Sequence, residues 1–284
     1  MIRRDIIQEL NGFSIQFGKL SDRVYLLDYL EKYDGLLLEN INVLARYHNY
    51  SKIIIKAGKD AATKLEKDGF ICEGQIHGYH RGQHDALFMV KYLNPKRLEH
   101  DKTAIKEVLE KSDRLREDKL DILDRSYRIR LLTLQDVPEM AALFKKVFAT
   151  YPFPIFEEEY LRETMEDNCI YLGVFSQEKL IGISNCETSP EHLACEMTDF
   201  AIDEQHRGHK LARHLLEAME QRLREMDFKT VYTIARSASL PMNATFKKAG
   251  YKYGGTLINN TQISGSIESM NIYYKALAGQ SNQT

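Results

Sequence analysis

The residues with the clearest chemical potential lie in one short stretch of the second half of the chain. A strand pattern over residues 196–202 leads into the basic turn Gln205-His206-Arg207-Gly208-His209-Lys210, and an amphipathic helix pattern starts at Leu211. The first amides of a helix have no partners within it, and the helix dipole is positive at that end. The stretch therefore predicts a site for an anion such as a pyrophosphate. From spacing alone, an ordinary turn with solvated basic residues remains the alternative.

The elements around this turn alternate between strand and helix patterns, which predicts an α/β fold with a mixed sheet. Strand patterns occupy residues 127–131, 170–176, 180–187 and 230–235, and helix patterns occupy residues 133–148, 157–167 and 239–248. We therefore expect residues 127–278 to form one unit around the basic turn. Residues 279–284 are expected to be a flexible tail.

Residues 1–95 are predicted to form a smaller α/β unit. Its strand patterns lie at residues 14–17, 24–27, 52–56, 71–76 and 86–92, and its helix patterns at residues 36–47 and 61–67. The segment from His77 to His84 holds histidines that could suggest a metal, but its two glycines favour a polar hairpin loop. Residues 96–126 are dense in charge and predict a solvated helical connector.

The two units share an internal pattern. A strand, a helix and a hairpin surround Gly69-Phe70-x-x-x-Gly74 in the first unit and Gly250-Tyr251-x-x-x-Gly255 in the second. We infer that the first unit is a partial copy of the back half of the second and lacks the basic turn. The alternative is chance similarity between two short arrangements of strands and a helix.

The motif Gln205-x-x-Gly208-x-Lys210 resembles the Q/R-x-x-G-x-G/A signature of the GNAT acetyltransferases, which binds the pyrophosphate of acetyl-CoA. One position departs from the signature, because its last small residue is Lys210 here. The segment F-K-K-A-G-Y at residues 246–251 is similar to the end of a GNAT domain. The resemblance implies a GNAT fold in residues 127–278, preceded by a partial GNAT-like module and the connector.

The same resemblance assigns residues to acetyl-CoA and to catalysis. The implied cofactor contacts are Phe200, Ala201, Ile202, Gln205, His206, Arg207, Gly208, His209, Lys210, Leu211, Asn243 and Phe246. Glu196 lies where many GNAT enzymes carry their general base; the alternative is a strand carboxylate in a surface salt bridge. Many members place a tyrosine at the position of Phe246 to protonate the CoA thiolate, so that role is vacant or filled elsewhere.

The expected chemistry is a direct transfer to an amine. An alkyl amine has a pKa of ~10.4, so a base must remove a proton before the amine attacks a thioester at neutral pH. A backbone amide of residues 200–202 would hold the oxyanion. Cys186 and Cys195 have no evident histidine partner, so no covalent enzyme intermediate is expected.

The C-terminal stretches at residues 254–265 and 267–275 resemble the β-lysine acetyltransferases within the GNAT family. This resemblance implies acetylation of the terminal amine of β-lysine, whose product is a compatible solute. A site for β-lysine needs acids for its ammonium groups and a donor for its carboxylate. The candidates are Tyr151 in an aromatic loop, Glu187 and Asp199 for an ammonium, Arg236 for the carboxylate, and Asn259, Asn260 and Asn271 as amide donors. For the asparagines, turn chemistry is the alternative.

Composition limits the other functions. A formal net charge of -2 over 284 residues gives no field that favours nucleic acid, and no metal is expected, since the four cysteines show no zinc spacing. No long apolar run or signal peptide is evident, so we expect a cytoplasmic protein without a membrane partner. A protein, peptide or polyamine acetyltransferase and a non-catalytic acyl-CoA sensor stay open. The sequence does not determine the oligomeric state, and a homodimer stays open.

Overall fold

Within residues 5–277, the part of the chain that the computed structural model describes, 13 strands hydrogen-bond into one mixed sheet. The first half contributes β1 (Ile6–Leu10), β2 (Phe13–Gly18), β3 (Arg23–Leu30), α1 (Gly35–Tyr47), β4 (Lys52–Ala57), α2 (Lys59–Lys67), β5 (Ile71–His80) and β6 (His84–Tyr92). After α3 (Lys102–Asp113), the second half contributes β7 (Tyr127–Leu131), α4 (Val137–Val147), α5 (Glu158–Asp167), β8 (Cys169–Ser176), β9 (Lys179–Ser189), β10 (Ala194–Ile202), α6 (Leu211–Glu225), β11 (Thr230–Arg236), α7 (Leu240–Lys248), β12 (Lys252–Ile263) and β13 (Ser266–Ala276).

The strand order gives the two halves the same local arrangement. Along the sheet the order is β1-β2-β3-β4-β6-β5-β12-β13-β11-β10-β9-β8-β7. Each half therefore places a parallel pair, β3–β4 or β10–β11, beside an antiparallel pair, β6–β5 or β13–β12. The unit β4-α2-β5-β6 corresponds to β11-α7-β12-β13, in the order that the glycine spacing suggested.

The halves join in the sheet where β5 meets β12, at the pair Gly74 and Gly255. Both hairpins have a register shift next to this pair. A Cβ on Gly255 would lie 2.3 Å from the Glu73 carbonyl oxygen and 2.5 Å from the Gly74 Cα. Gly255 also has a φ of 138°, which favours glycine. The repeated glycines of the sequence therefore permit the close approach that connects the halves.

The apolar cores follow from the alternation of side chains along the strands. In β3 and β4, Val24, Leu26, Ile53 and Ile55 pack with α1 and α2 on one face of the sheet. The other face of this half contributes to a second core that it shares with β10 to β13, formed by Tyr25, Ile54, Ile76, Tyr79, Phe88, Val90, Ala194, Tyr232, Leu257, Ile263, Met270 and Ile272. The first half is therefore packed against the second along one of its sheet faces.

Two local expectations differ from the structure. The strand β1 was not predicted, and the polar loop proposed at residues 77–84 is mostly strand, because β5 continues to His80 and β6 begins at His84. Pairing at the His80–His84 end lets the turn close over three residues. The connector contains one helix, α3, followed by an irregular segment held against α7 by a hydrogen bond from the Asp118 amide to the Lys248 carbonyl.

The histidines of this hairpin have protein partners. His77 pairs with Asp85 at 2.7 Å, and His80 meets His192 at 2.9 Å between Nδ1 atoms. Residues 5–277 contain no cluster of three or more side chains that could hold a metal ion.

Residues 5–277 also contain no helix with the length and apolar character needed to cross a bilayer. The expected tail at residues 279–284 lies outside the described residues.

Candidate active site

The central feature of the site is a fork between the parallel strands β10 and β11. They pair at only three positions, from Ala194 to Glu196, after which β11 pairs with β13 alone. On its other side, β10 has a bulge between Thr198 and Ala201, where Asp199 adopts a φ of 55°. A bulge bends its strand and redirects side chains. The β11-facing edge of β10 is therefore free of strand partners beyond Glu196.

A cavity of about 270 Å³ lies beside the fork and is lined by both halves of the chain. Three carboxylates of β9 and β10 face it, from Glu187, Glu196 and Asp199. The first half supplies two cations, Arg23 of β3 and Lys56 of β4. The cavity therefore combines acids that can bind ammonium groups with cations that can bind a carboxylate.

Glu196 is the acid at the fork itself. Burial and the negative charge of Glu187 raise its pKa to about 8, although Lys56 and a hydrogen bond from Tyr232 act in the opposite direction. A carboxyl group with such a pKa exchanges protons near neutral pH, as a general base requires. The predicted base therefore has an environment that suits the role.

The neighbouring acids also have perturbed protonation. Asp199 accepts hydrogen bonds from the Tyr151 hydroxyl at 2.5 Å and from the Asn185 amide at 3.0 Å. Burial raises the pKa of Asp199, and the donors from Tyr151 and Asn185 oppose that effect. Burial and the charge of Asp199 raise the pKa of Glu187, whose side chain is accessible from the cavity but densely surrounded by protein. Tyr151, Glu187 and Asp199 thus meet at the cavity, as the sequence suggested.

The predicted anion site is the exposed turn between β10 and α6. Lys210 starts α6 with a left-handed φ of 55°, and Gly208 has a φ of 89°. Within the described chain, the backbone amides of residues 208–212 donate to no protein acceptor. By contrast, the Asp34 carboxylate already accepts from the first amides of α1, the corresponding helix of the first half. Only the second of these two helix starts is free to take a phosphate.

Side-chain charge at this turn is shared with the connector. Lys210 pairs with Asp121 at 2.7 Å, and Arg213 of α6 pairs with Asp118 at 3.3 Å. His206 instead meets the Tyr127 hydroxyl at 3.2 Å. The turn residues Gln205, Arg207, Gly208 and His209 are all exposed to solvent, and Leu211 is buried under the start of α6. The free backbone amides and the exposed Arg207, which forms no ion pair within the described residues, therefore fit a pyrophosphate, whereas the charge of Lys210 is paired with Asp121.

Two of the expected cofactor contacts on α7 are core residues instead. Phe246 is fully buried and packs against the rings of Phe200, Tyr251 and Tyr273. Asn243 is also fully buried, and its amide group donates to the Arg236 and Ser239 carbonyls. The bond to Arg236 holds α7 to β11, and the Asn271 amide and Tyr273 hydroxyl of β13 donate to the Asn243 side-chain oxygen. The direct cofactor contact expected for Asn243 and Phe246 is therefore not supported.

The structure also corrects part of the predicted acceptor site. Arg236 does not line the cavity. Its guanidinium forms a bidentate ion pair with the Glu268 carboxylate, with distances of 2.6 and 2.9 Å. Asn271 hydrogen-bonds Asn243 and Thr256 inside the core. Asn259 lies in a bulge of β12, where its backbone has a left-handed φ of 43°. Its side-chain amide donates to the Arg97 and Glu99 carbonyls. Only Asn260 of these four lies at the cavity.

Sequence reasoning missed the cations of the first half. Lys56 is buried, with its Nζ 4.8 Å from the ring centroid of Tyr79 and 5.7 Å from that of Tyr232. The sequence held a signal for both residues, because each lies in an otherwise apolar strand. Lys56 is part of K-I-I-I-K-A, and Arg23 begins R-V-Y-L-L. Their destination depended on the packing of one half against the other.

The forked parallel strands, the turn of free amides and the carboxylate at the fork are the arrangement expected of an N-acetyltransferase. The model of the Acetyltransferase (GNAT) family matches residues 137–251. A Beta-lysine N(6)-acetyltransferase of Methanococcus maripaludis is 34% identical over 95% of this chain and 98% of that protein. The N-acetyltransferase YodP of Bacillus subtilis is 36% identical over 87% and 90%, and a Beta-lysine N(6)-acetyltransferase of Methanosarcina mazei is 27% identical over 88% and 100%.

The chain therefore belongs to the GNAT family of acetyltransferases, whose members use acetyl-CoA. The fold is a GNAT fold preceded by a smaller α/β module that repeats part of it.

Proposed function

We propose that this protein transfers an acetyl group from acetyl-CoA to the terminal amine of β-lysine. The observation that carries the proposal is the charge content of the cavity, which is lined by two cations and by four carboxylates, those of Asp167, Glu187, Glu196 and Asp199. β-Lysine has two ammonium groups and one carboxylate, so it needs both signs of charge. The names of the relatives from Methanococcus maripaludis and Methanosarcina mazei support the same acceptor.

In this proposal acetyl-CoA binds along the second half of the chain. Its pyrophosphate accepts hydrogen bonds from the free amides of the turn that contains Gly208, and its pantetheine arm runs along the unpaired edge of β10 at residues 200–202. The support comes from the open amides at the start of α6 and from the early end of the β10–β11 pairing. In the first half, the corresponding helix α1 has its first amides taken by the Asp34 carboxylate, so we assign the cofactor site to residues 127–278, with residues 1–95 and the connector 96–126 as separate regions.

The chemistry that we propose for Glu196 is removal of a proton from the substrate ammonium, directly or through one water. The neutral amine forms a C–N bond to the acetyl carbon, and the C–S bond breaks from the tetrahedral intermediate. A backbone amide of residues 200–202 stabilises the oxyanion. The second proton leaves the nitrogen and neutralises the CoA thiolate. Phe246 cannot act as the general acid in this step, because its side chain has no ionisable group.

The product supports a further biological expectation. Acetylation removes one positive charge from β-lysine and leaves a zwitterion with one ammonium and one carboxylate. A small neutral zwitterion is suited to accumulation as a compatible solute in the cytoplasm, where we place the enzyme. This role depends on the acceptor and falls if the acceptor is different.

The experiment that tests the proposed function is a thiol-release assay with acetyl-CoA and a panel of free amino acids, diamines and lysine-containing peptides. We expect β-lysine to give the highest kcat/KM and mass spectrometry to find one acetyl group per product. Equal turnover of a peptide lysine or of spermidine would instead support a protein or polyamine acetyltransferase. Binding of acetyl-CoA without CoA release on any amine would indicate a sensor.

A further inference from the structure

Arg23 is a buried cation at the cavity whose charge is poorly compensated by the protein. It is 3% exposed, and it donates to the Asn260 carbonyl at 2.9 Å and to the Gln16 side-chain carbonyl at 2.8 Å. Its Nε has no hydrogen-bond partner in the part of the chain that the structure describes. Asp5, whose negative charge acts on Arg23, accepts a hydrogen bond from the Ser21 amide at 3.3 Å and forms no ion pair with the guanidinium.

Arg97, in the same region, is an arginine whose charge and hydrogen-bond donors are paired within the protein. It is also buried, but it pairs with the Asp22 carboxylate at 3.2 Å and donates to the carbonyls of Ser21 and Asn259. Arg23 of β3 and Arg97 of the connector each donate to a backbone carbonyl in the bulge of β12. Of these two, only Arg23 lines the cavity and lacks an ion pair within residues 5–277.

The charge of Arg23 persists at neutral pH and is costly to leave uncompensated. Burial lowers its pKa to about 10, which keeps the guanidinium protonated at pH 7. A buried guanidinium with an unfilled donor favours a carboxylate ligand, because its planar fork matches the two carboxylate oxygens. The ring of Tyr25, 5.0 Å away, covers part of its face but supplies no negative charge.

The alternation of β3 directs Arg23 toward the cavity. Arg23, Tyr25 and Leu27 line it, whereas Val24 and Leu26 pack under the helices of the first half. The acids that face the ammonium groups lie on β9 and β10 of the second half. The first half thus presents a cation to a cavity whose acids come from the catalytic half.

We propose that Arg23 binds the carboxylate of the acceptor, so that the non-catalytic first half selects amino acids over simple amines. The inference rests on the proposed function and deepens it by assigning the carboxylate subsite. It also gives a role to the first half, which has no turn like that of Gly208 for binding the cofactor. The alternative is that Arg23 only holds Gln16 and the Asn260 carbonyl in place.

The test compares β-lysine with 1,4-diaminopentane, which keeps both amines in the same positions and lacks only the carboxylate. In the wild type we expect kcat/KM to favour β-lysine by about 10² or more, because rejection follows from leaving a buried donor unpaired. Arg23→Gln should lower kcat/KM for β-lysine about 10²-fold and change that for the diamine less than about threefold. Arg236→Gln is the matched control, and it should leave the ratio unchanged.

A folding defect is separated from a specificity defect by two measurements. β-Lysine should raise the Tm of the wild type more than the diamine does, and this difference should disappear in Arg23→Gln. If Arg23→Gln does not fold, Arg23→Lys keeps the charge without the planar fork, and we expect its ratio to fall at least about tenfold. A folded Arg23 variant with the wild-type ratio would overturn the inference and leave the proposed function standing. A wild type that does not prefer β-lysine would overturn the proposed function itself.

Discussion

Replacement of Glu196 by glutamine probes the proposed base through its pH dependence. Because the pKa of Glu196 is raised to about 8, only about one molecule in ten carries the carboxylate at pH 7, and about nine in ten carry it at pH 9. We therefore expect the wild-type kcat/KM to rise about tenfold between these values and then to level. Glu196→Gln should lower kcat by ~10²–10⁴ at pH 7, while its affinity for acetyl-CoA stays near that of the wild type.

The assay is CoA release over pH 6–10, with acetyl-CoA binding measured separately by calorimetry. In Glu196→Gln the inflection near pH 8 should vanish, and the residual rate should rise at alkaline pH as the amine deprotonates by itself. Glu187→Gln supplies a second check, because Glu187 raises the pKa of Glu196 by like charge. Removing that charge should move the inflection to lower pH.

Two results would exclude Glu196 as the general base. Wild-type turnover by Glu196→Gln at pH 7 would assign the base to another group, with Glu187 and Asp199 as the next candidates. An inflection near pH 8 that persists in Glu196→Gln would show that the titrating group is not Glu196.

Three other predictions address the cofactor turn, the connector and the joint between the halves. Gly208→Asp should weaken acetyl-CoA binding more than tenfold by calorimetry. Gly208→Ala should weaken binding less, because its Cβ meets nothing within 4 Å. Equal losses of affinity in the two variants would contradict a charge effect. Asp121→Asn frees Lys210 and should tighten acetyl-CoA binding about two- to threefold at low salt, with no change at high salt if the pair acts through charge. Gly255→Ala should lower the free energy of unfolding by more than ~3 kcal/mol in denaturant titrations, because its Cβ would meet the Gly74 backbone; a wild-type midpoint would contradict this contact.

Much of the fold follows from local sequence signals. The helix patterns at residues 36–47 and 61–67 correspond to α1 and α2, with the Asp34 side chain capping α1, and Gly69 and Gly250 follow the ends of α2 and α7 with positive φ. The segment from His77 to His84 was assigned to a loop because its composition is polar. Its ends are paired as strands, since β-strand pairing depends on the partner as well as on composition.

The site divides in the same way. Glu196, Glu187 and Asp199 could be predicted because they lie on adjacent strands beside a recognisable turn. Arg23 and Lys56 could not be placed, because they reach the cavity only through packing between the halves.

Arg236 illustrates the opposite error. Its position at the end of β11 suggested a carboxylate contact, but Glu268 on β13 takes that guanidinium. Local patterns identify which residues are charged within strands, and tertiary partners decide which of those charges are free.

A crystal structure of the complex with CoA and β-lysine would show the acceptor in its site. We expect the terminal nitrogen of β-lysine to lie within about 3.2 Å of the Glu196 carboxylate, or to be joined to it by one water. We also expect the substrate carboxylate to contact the guanidinium of Arg23. A terminal nitrogen remote from Glu196 would exclude Glu196 as the base, and a substrate carboxylate bound elsewhere would exclude Arg23 as its ligand.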